Sequence, residues 1–237
     1  MMKYINHRQT QTGFSLVEMA IVLAIVALLL GSLLPTISSQ IEQQRRNETR
    51  KQLAEIQQAL LGFAIINGRL PCATTISDPA NVGYGLEAPT CTVNPLAEGY
   101  LPWKTLGVSE TDAWGSKRYN TGDPWVGYWR YRVDRSFAST FSMSTGFSAD
   151  KLSIVDNNNS LITPAPGGCT GANPTECPIA IVYSTGKDIT ANGGNFTFEQ
   201  TNGSYQSDVP TPTFDDMLIW ISRPQLFNRM VAAGKLP

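Results

Sequence analysis

The first long pattern in the chain is an apolar run with almost no relief. From Phe14 to Leu34 every position is apolar or small except Ser15, Glu18 and Ser32. At 1.5 Å per residue these 21 positions make a rod of about 32 Å as a helix, the thickness of a bilayer's hydrocarbon core. Glu18 is the exception that matters. A carboxylate inside such a run costs on the order of 2.5–3.5 kcal/mol at a helix centre, less near an end. The run holds no Lys, Arg or His to compensate it. Pro35 follows; it has no N–H to donate and crowds the preceding turn, so a kink or local opening of the helix is predicted there.

Helical spacing resumes after Pro35. In residues 36–66 Ile37, Ile41, Leu53, Ile56, Leu60, Phe63 and Ala64 recur at intervals near three and four around a charged middle (Arg45, Arg46, Glu48, Arg50, Lys51). This predicts an amphipathic helix whose second half packs on a globular core, ended by Asn67-Gly68 with Gly68 as a left-handed cap. The charges of the middle are mixed in sign, which suits a solvated or inter-subunit face rather than a DNA-binding stripe.

Beyond residue 70 the pattern shortens. Residues 71–111 are rich in Pro and Gly and read as loop, with Gly99–Trp103 folding back on the helix. Trp129, Tyr131 and Val133 alternate with Arg130 and Arg132, which predicts a half-buried strand with the arginines on its solvent face. Ile179–Tyr183 is an apolar run fit for a central strand. Phe196–Phe198 and Met217–Ile221 complete the expected sheet. Ser222-Arg-Pro-Gln225 fits a capping box opening a short helix over 226–233 that stops at Gly234. A long helix followed by short antiparallel strands predicts an α+β fold.

Composition then narrows the classes. The chain has 237 residues with 18 Lys+Arg against 19 Asp+Glu, a formal charge of -1. So even a balance offers no general pull on nucleic acid or an anionic membrane surface. The one histidine, His7, lies in the first dozen residues, which disfavours His-based catalytic triads and His-ligated zinc. Asp150, Lys151, Glu176, Lys187 and Glu199 show no spacing that isolates an acid/base pair, and there is no P-loop or dinucleotide fingerprint. Trp103, Trp114, Trp125 and Trp129 with Tyr119, Tyr128 and Tyr131 admit a sugar-stacking platform, though aromatics at this density are more often core and cross-strand pairs.

The four cysteines, Cys72, Cys91, Cys169 and Cys177, form no CxxC pair and lie among turn formers, which points to disulfides in an oxidising compartment. Of three possible pairings, Cys72–Cys91 and Cys169–Cys177 are favoured because each closes a short loop. Each would contribute roughly 2–3 kcal/mol by chain entropy. The segment ahead of the apolar run, residues 1–13, carries Lys3 and Arg8 and no acid, which keeps that end in the cytoplasm and places the head outside. No Ala-x-Ala cleavage site follows Leu34, so the apolar helix is expected to stay on the chain.

Gly13-Phe14-Ser15-Leu16-Val17-Glu18, after a short basic leader and before an apolar helix, resembles the signal of type IV pilins and type II secretion pseudopilins. The resemblance implies cleavage by a prepilin peptidase between Gly13 and Phe14, and N-methylation of Phe14. Glu18 becomes the fifth residue of the mature chain, paired with the new amine of its own or a neighbouring subunit to set assembly. Pro35 sits at the depth where many pilins carry a proline. The domains implied are a leader 1–13, a transmembrane and filament-core helix 14–35, an amphipathic half 36–66 and a periplasmic or extracellular head 67–237. The partners implied are copies of this chain and related pilins, the peptidase, an inner-membrane assembly platform and, before assembly, the lipid bilayer. The location implied is a single pass of the inner membrane, then a filament.

In the head, Asp112-x-Trp114-Gly115, Tyr183-Ser-x-Gly186-x-Asp188 with Gly193-Gly194, and Asp215-Asp216 ahead of Trp220 resemble the major pseudopilin domain. There a corresponding loop binds calcium, which implies Asp188, Asp215 and Asp216 as carboxylate ligands. The 188–215 stretch departs from that pattern in being long and less acidic. The function implied is that of a structural filament subunit and not an enzyme. The alternatives are a minor or tip subunit with an adhesive or glycan-binding head, and a membrane-anchored periplasmic enzyme or binding module.

Overall fold

The computed structural model of the chain describes residues 13, 15–76, 78–91, 98–115, 128–148, 152–164, 176–188, 190–195 and 204–236, with the side chains of 30–37 excepted. Helix α1 (Leu16–Asn67) is continuous through position 35 and ends where expected. Gly68 takes φ +70° and donates its N–H to the Ala64 carbonyl at 2.8 Å. The chain divides into two compact units, residues 1–44 and 45–237.

In the first unit α1 has no core to join. Leu16, Val17, Ile21, Val22, Leu23, Ile25, Val26, Leu28 and Leu29 are all exposed. At 100° per residue these positions point in every direction around the helix axis, so the segment is apolar all round. Among the described residues no helix is long and apolar enough to cross a membrane.

The second unit is built on an antiparallel sheet of order β1-β2-β4-β6 (Glu98–Tyr100, Arg130–Val133, Pro178–Ser184, Met217–Ser222). Leu53, Ile56, Leu60, Leu61 and Ala64 of α1 bury against one face of it, with Tyr131, Val133, Val182 and Ile221. Helix α3 (Arg223–Ala232) joins the same core through Leu226, Phe227 and Met230. The N-cap of α3 is Ser222, which accepts the Gln225 N–H, with Pro224 in the first turn. A one-turn helix α2 (Trp103–Leu106) follows β1 and sits in an aromatic cluster with Tyr84, Tyr100 and Tyr128.

A second layer covers the other face, and the sequence pattern did not announce it. Strands β3 (Ser153–Val155) and β5 (Ser204–Gln206) pair in parallel, each three residues long. Leu152, Ile154 and Tyr205 bury against Ile181 and Tyr183 of β4. This layer overturns the expectation for β2. Arg130 and Arg132 are each only 5% exposed rather than solvent-facing. The Arg132 guanidinium lies 5.9 Å from the Tyr205 ring and donates to its hydroxyl, and Arg130 lies 6.0 Å from the Tyr183 ring. Planar, weakly hydrated guanidiniums stacked on aromatic faces are the form in which cations tolerate burial. The expected strand at 196–198 lies outside the described residues.

The Cys72–Cys91 bridge is formed, Cα–Cα 5.4 Å. Beside it the Arg69 guanidinium grips Glu87 with two bonds of 2.8 and 2.9 Å. That pairing holds the Glu87 carboxyl below its ordinary range and raises Arg69. Cys177 is buried and disulfide-bonded; Cys169 lies outside the described residues.

Candidate functional site

Two regions bring the sequence-predicted residues together: the start of α1 and the turn of the head that holds Asp215 and Asp216. At the helix start, Gly13 is exposed, and a Cβ placed on it would meet nothing within 4 Å. Phe14 lies outside the described residues. The Glu18 carboxylate, expected to stand without a partner until an amine appears, has one already. Its Oε2 accepts the Ser15 N–H at 2.8 Å, and Ser15 Oγ accepts the Glu18 N–H at 3.2 Å. This is a reciprocal capping box, satisfying donors that a helix N-terminus leaves open and placing a negative charge at its positive end. Ser15-Leu-Val-Glu18 is the S-x-x-E signature of that box, so the signal stood in the sequence and was missed.

In the head, three motifs that are far apart in the chain form one hydrogen-bonded network. Asp112 Oδ1 accepts the Trp114 N–H at 3.0 Å, turning the Asp-Ala-Trp-Gly segment. Its Oδ2 accepts the Ser184 hydroxyl at 2.5 Å, and Ser184 Oγ accepts the Gly186 N–H at 3.1 Å. One residue on, Asp215 Oδ2 accepts the N–H groups of Lys187 and Asp188 at 2.5 and 3.2 Å. Gly186 permits the approach. It has φ +65°, and a Cβ there would sit 2.6 Å from the Asp215 carboxyl. Asp216 Oδ2 accepts the Asn192 N–H at 2.9 Å and Asn195 Nδ2 at 3.0 Å. Asp215 and Asp216 are both buried, whereas Asp188 is exposed. Burial pushes both buried carboxyls up, Asp216 to about 7, against the opposing pull of the donors.

Residues 8–34 match the family model described as the prokaryotic N-terminal methylation motif. The chain carries a type IV pilin-type prepilin signal. No curated protein and no solved structure matches the chain.

The prepilin signal covers the helix start and says nothing of the head, so the calcium expectation rests on the head's own oxygens. Calcium takes six to eight hard oxygens at 2.3–2.6 Å. Asp188 spends both of its oxygens on Thr190 N–H and Asn192 Nδ2. Each Oδ2 of Asp215 and Asp216 holds two N–H donors, leaving one Oδ1 apiece, both buried without a hydrogen-bond partner. Among the described residues no group of three acidic, His or Cys side chains is arranged to hold a metal ion.

The described aromatic residues singled out in the head are core rather than platform. Trp103, Trp114, Tyr128, Trp129 and Tyr131 are all buried. Trp103 stacks on Tyr128 at 5.9 Å, and the Tyr84 hydroxyl bonds both Tyr128 and Glu110. Trp125 and Tyr119 lie outside the described residues, as do Asp150, Lys151 and Glu199. A cavity of the head, about 660 Å³, lies beside the Cys72–Cys91 bridge. Its wall includes the Arg69–Glu87 pair, whose charges are spent on each other.

Proposed function

We propose that this protein is a structural subunit of a type IV filament, a pilus or a type II secretion pseudopilus. It is made as a membrane-anchored precursor, cut by a prepilin peptidase between Gly13 and Phe14, N-methylated at Phe14 and polymerised through α1 with copies of itself and related pilins. The methylation motif over 8–34 carries the reading. The exposed, all-round apolar start of α1 supports it, because such a surface is stable only in lipid or against other apolar helices.

Cleavage at this bond changes the electrostatics of the helix start. It creates an ammonium at Phe14, one helical turn from Glu18. In a lipid or filament interior the two charges compensate each other, and removing either strands its partner at a cost of several kcal/mol. Before cleavage the Ser15–Glu18 box keeps the carboxylate hydrogen-bonded. The role is assembly, not catalysis, with the head at the filament surface and Pro35 at the point where the helix leaves the membrane.

Mass spectrometry of the N-terminus of protein recovered from assembled filaments tests the reading. N-methylated Phe14 as first residue is the expected result. An intact Met1 in the assembled form refutes it.

A further inference from the structure

One oxygen, Oδ2, of each carboxylate that resembles a calcium ligand is committed to N–H donors, and the orientation of the Asn192 and Asn195 amides is fixed. Asn195 is 0% exposed. Its Oδ1 accepts the Gln206 N–H at 2.8 Å and its Nδ2 donates to the Gln206 carbonyl at 2.9 Å, so the side chain mimics a strand pairing with β5. A backbone N–H can only donate, and this settles which end of the amide is oxygen. The Nδ2 end therefore faces Asp216 Oδ2, at 3.0 Å. Asn192 repeats the logic. Its Oδ1 accepts the Asp215 N–H at 3.0 Å, so its Nδ2 faces Asp188 Oδ2, at 3.1 Å. A cation on either Oδ2 would meet the hydrogens of an amide that cannot turn round without orphaning a backbone donor.

We infer that Asn192 and Asn195 take the place of a divalent cation in this head. They staple the 186–195 loop to β5 and to the entry of β6, and the head closes without calcium. The inference goes beyond the filament reading and stands apart from it, since it concerns the head alone and is unaffected by how the N-terminus is processed. It also gives the long, weakly acidic stretch between Asp188 and Asp215 a physical reason: the loop is cross-linked by neutral amides, so it needs no further carboxylates.

The test uses the full-length protein in detergent micelles, stripped with EDTA and then given excess calcium, with thermal unfolding followed by tryptophan fluorescence. The midpoint is expected to be the same in both conditions. A ligand at a hundredfold its Kd raises the midpoint of a protein this size by roughly 5–10 °C, and a calcium-induced rise of that order overturns the inference. In EDTA, Asn195→Asp is expected to melt well below the wild type, because a carboxylate cannot donate to Asp216. Equal midpoints would show that the Asn195 donor does not close the loop. Should the variant not fold, the wild-type comparison decides alone.

Discussion

Asp216→Asn isolates a strongly perturbed carboxyl of the head. Asp216 is 3% exposed, and burial raises its pKa from 3.8 to about 7 despite two N–H donors on Oδ2. Asp215 and Asp188 push it the same way by charge repulsion. The folded value lies above the unfolded one. Stability from the protonated carboxyl is therefore complete below pH 3.8 and is lost as pH rises through about 7. At 1.36 kcal/mol per unit the whole effect is roughly 4 kcal/mol, of which about 3 kcal/mol falls between pH 5 and 8. That is a fall in melting midpoint of roughly 5–10 °C across the window. An asparagine at 216 keeps an acceptor for both donors and cannot ionise, so the variant should show a much flatter profile. Asp215, also raised by burial, leaves a residual slope of the same sign in both proteins. Glu87 is lowered by Arg69, so its contribution is lost as pH falls and lies below this window. The assay is thermal unfolding of wild type and variant in parallel at pH steps from about 5 to 8. Parallel profiles would refute a buried, protonated Asp216.

Three further outcomes are expected. Glu18→Ala should leave processing at Gly13 intact and abolish or sharply reduce filament yield, scored by immunoblot of sheared filaments against whole cells; wild-type yield would rule out a role for the carboxylate in assembly. Gly186→Ala places a methyl group 2.6 Å from the Asp215 carboxyl at a backbone φ of +65° and should destabilise the head by about 2 kcal/mol or more, read from denaturant midpoints. Cys72→Ala removes the bridge to Cys91, which closes a loop of sequence separation 19, and should cost about 3 kcal/mol, measured against the oxidised wild type under the same conditions.

The local features of this chain were legible because their causes are local. The apolar run, the helical spacing through Ala64, the Gly68 cap, the central strand at 179–183, the Ser222 cap and the Cys72–Cys91 bridge each depend on residues close in sequence or on a single periodicity. The methylation motif is of the same kind, a string of neighbouring residues. The Ser15–Glu18 box is equally local, and it meets the carboxylate with a backbone donor rather than with a countercharge.

What only the tertiary structure decided depends on pairs far apart in the chain. Strands β3 and β5 are three residues each, too short to show a period, and their parallel pairing joins segments about fifty residues apart. Their layer turns Arg130 and Arg132 from a solvent face into buried, stacked cations. The same folding carries Asn192 and Asn195 to Gln206, Asp215 and Asp216 and fixes their orientation. An acidic pair in the sequence does not by itself show which groups face its oxygens. Sequence can supply the carboxylates, but whether a cation or an amide faces them is set by which backbone N–H groups the fold brings alongside.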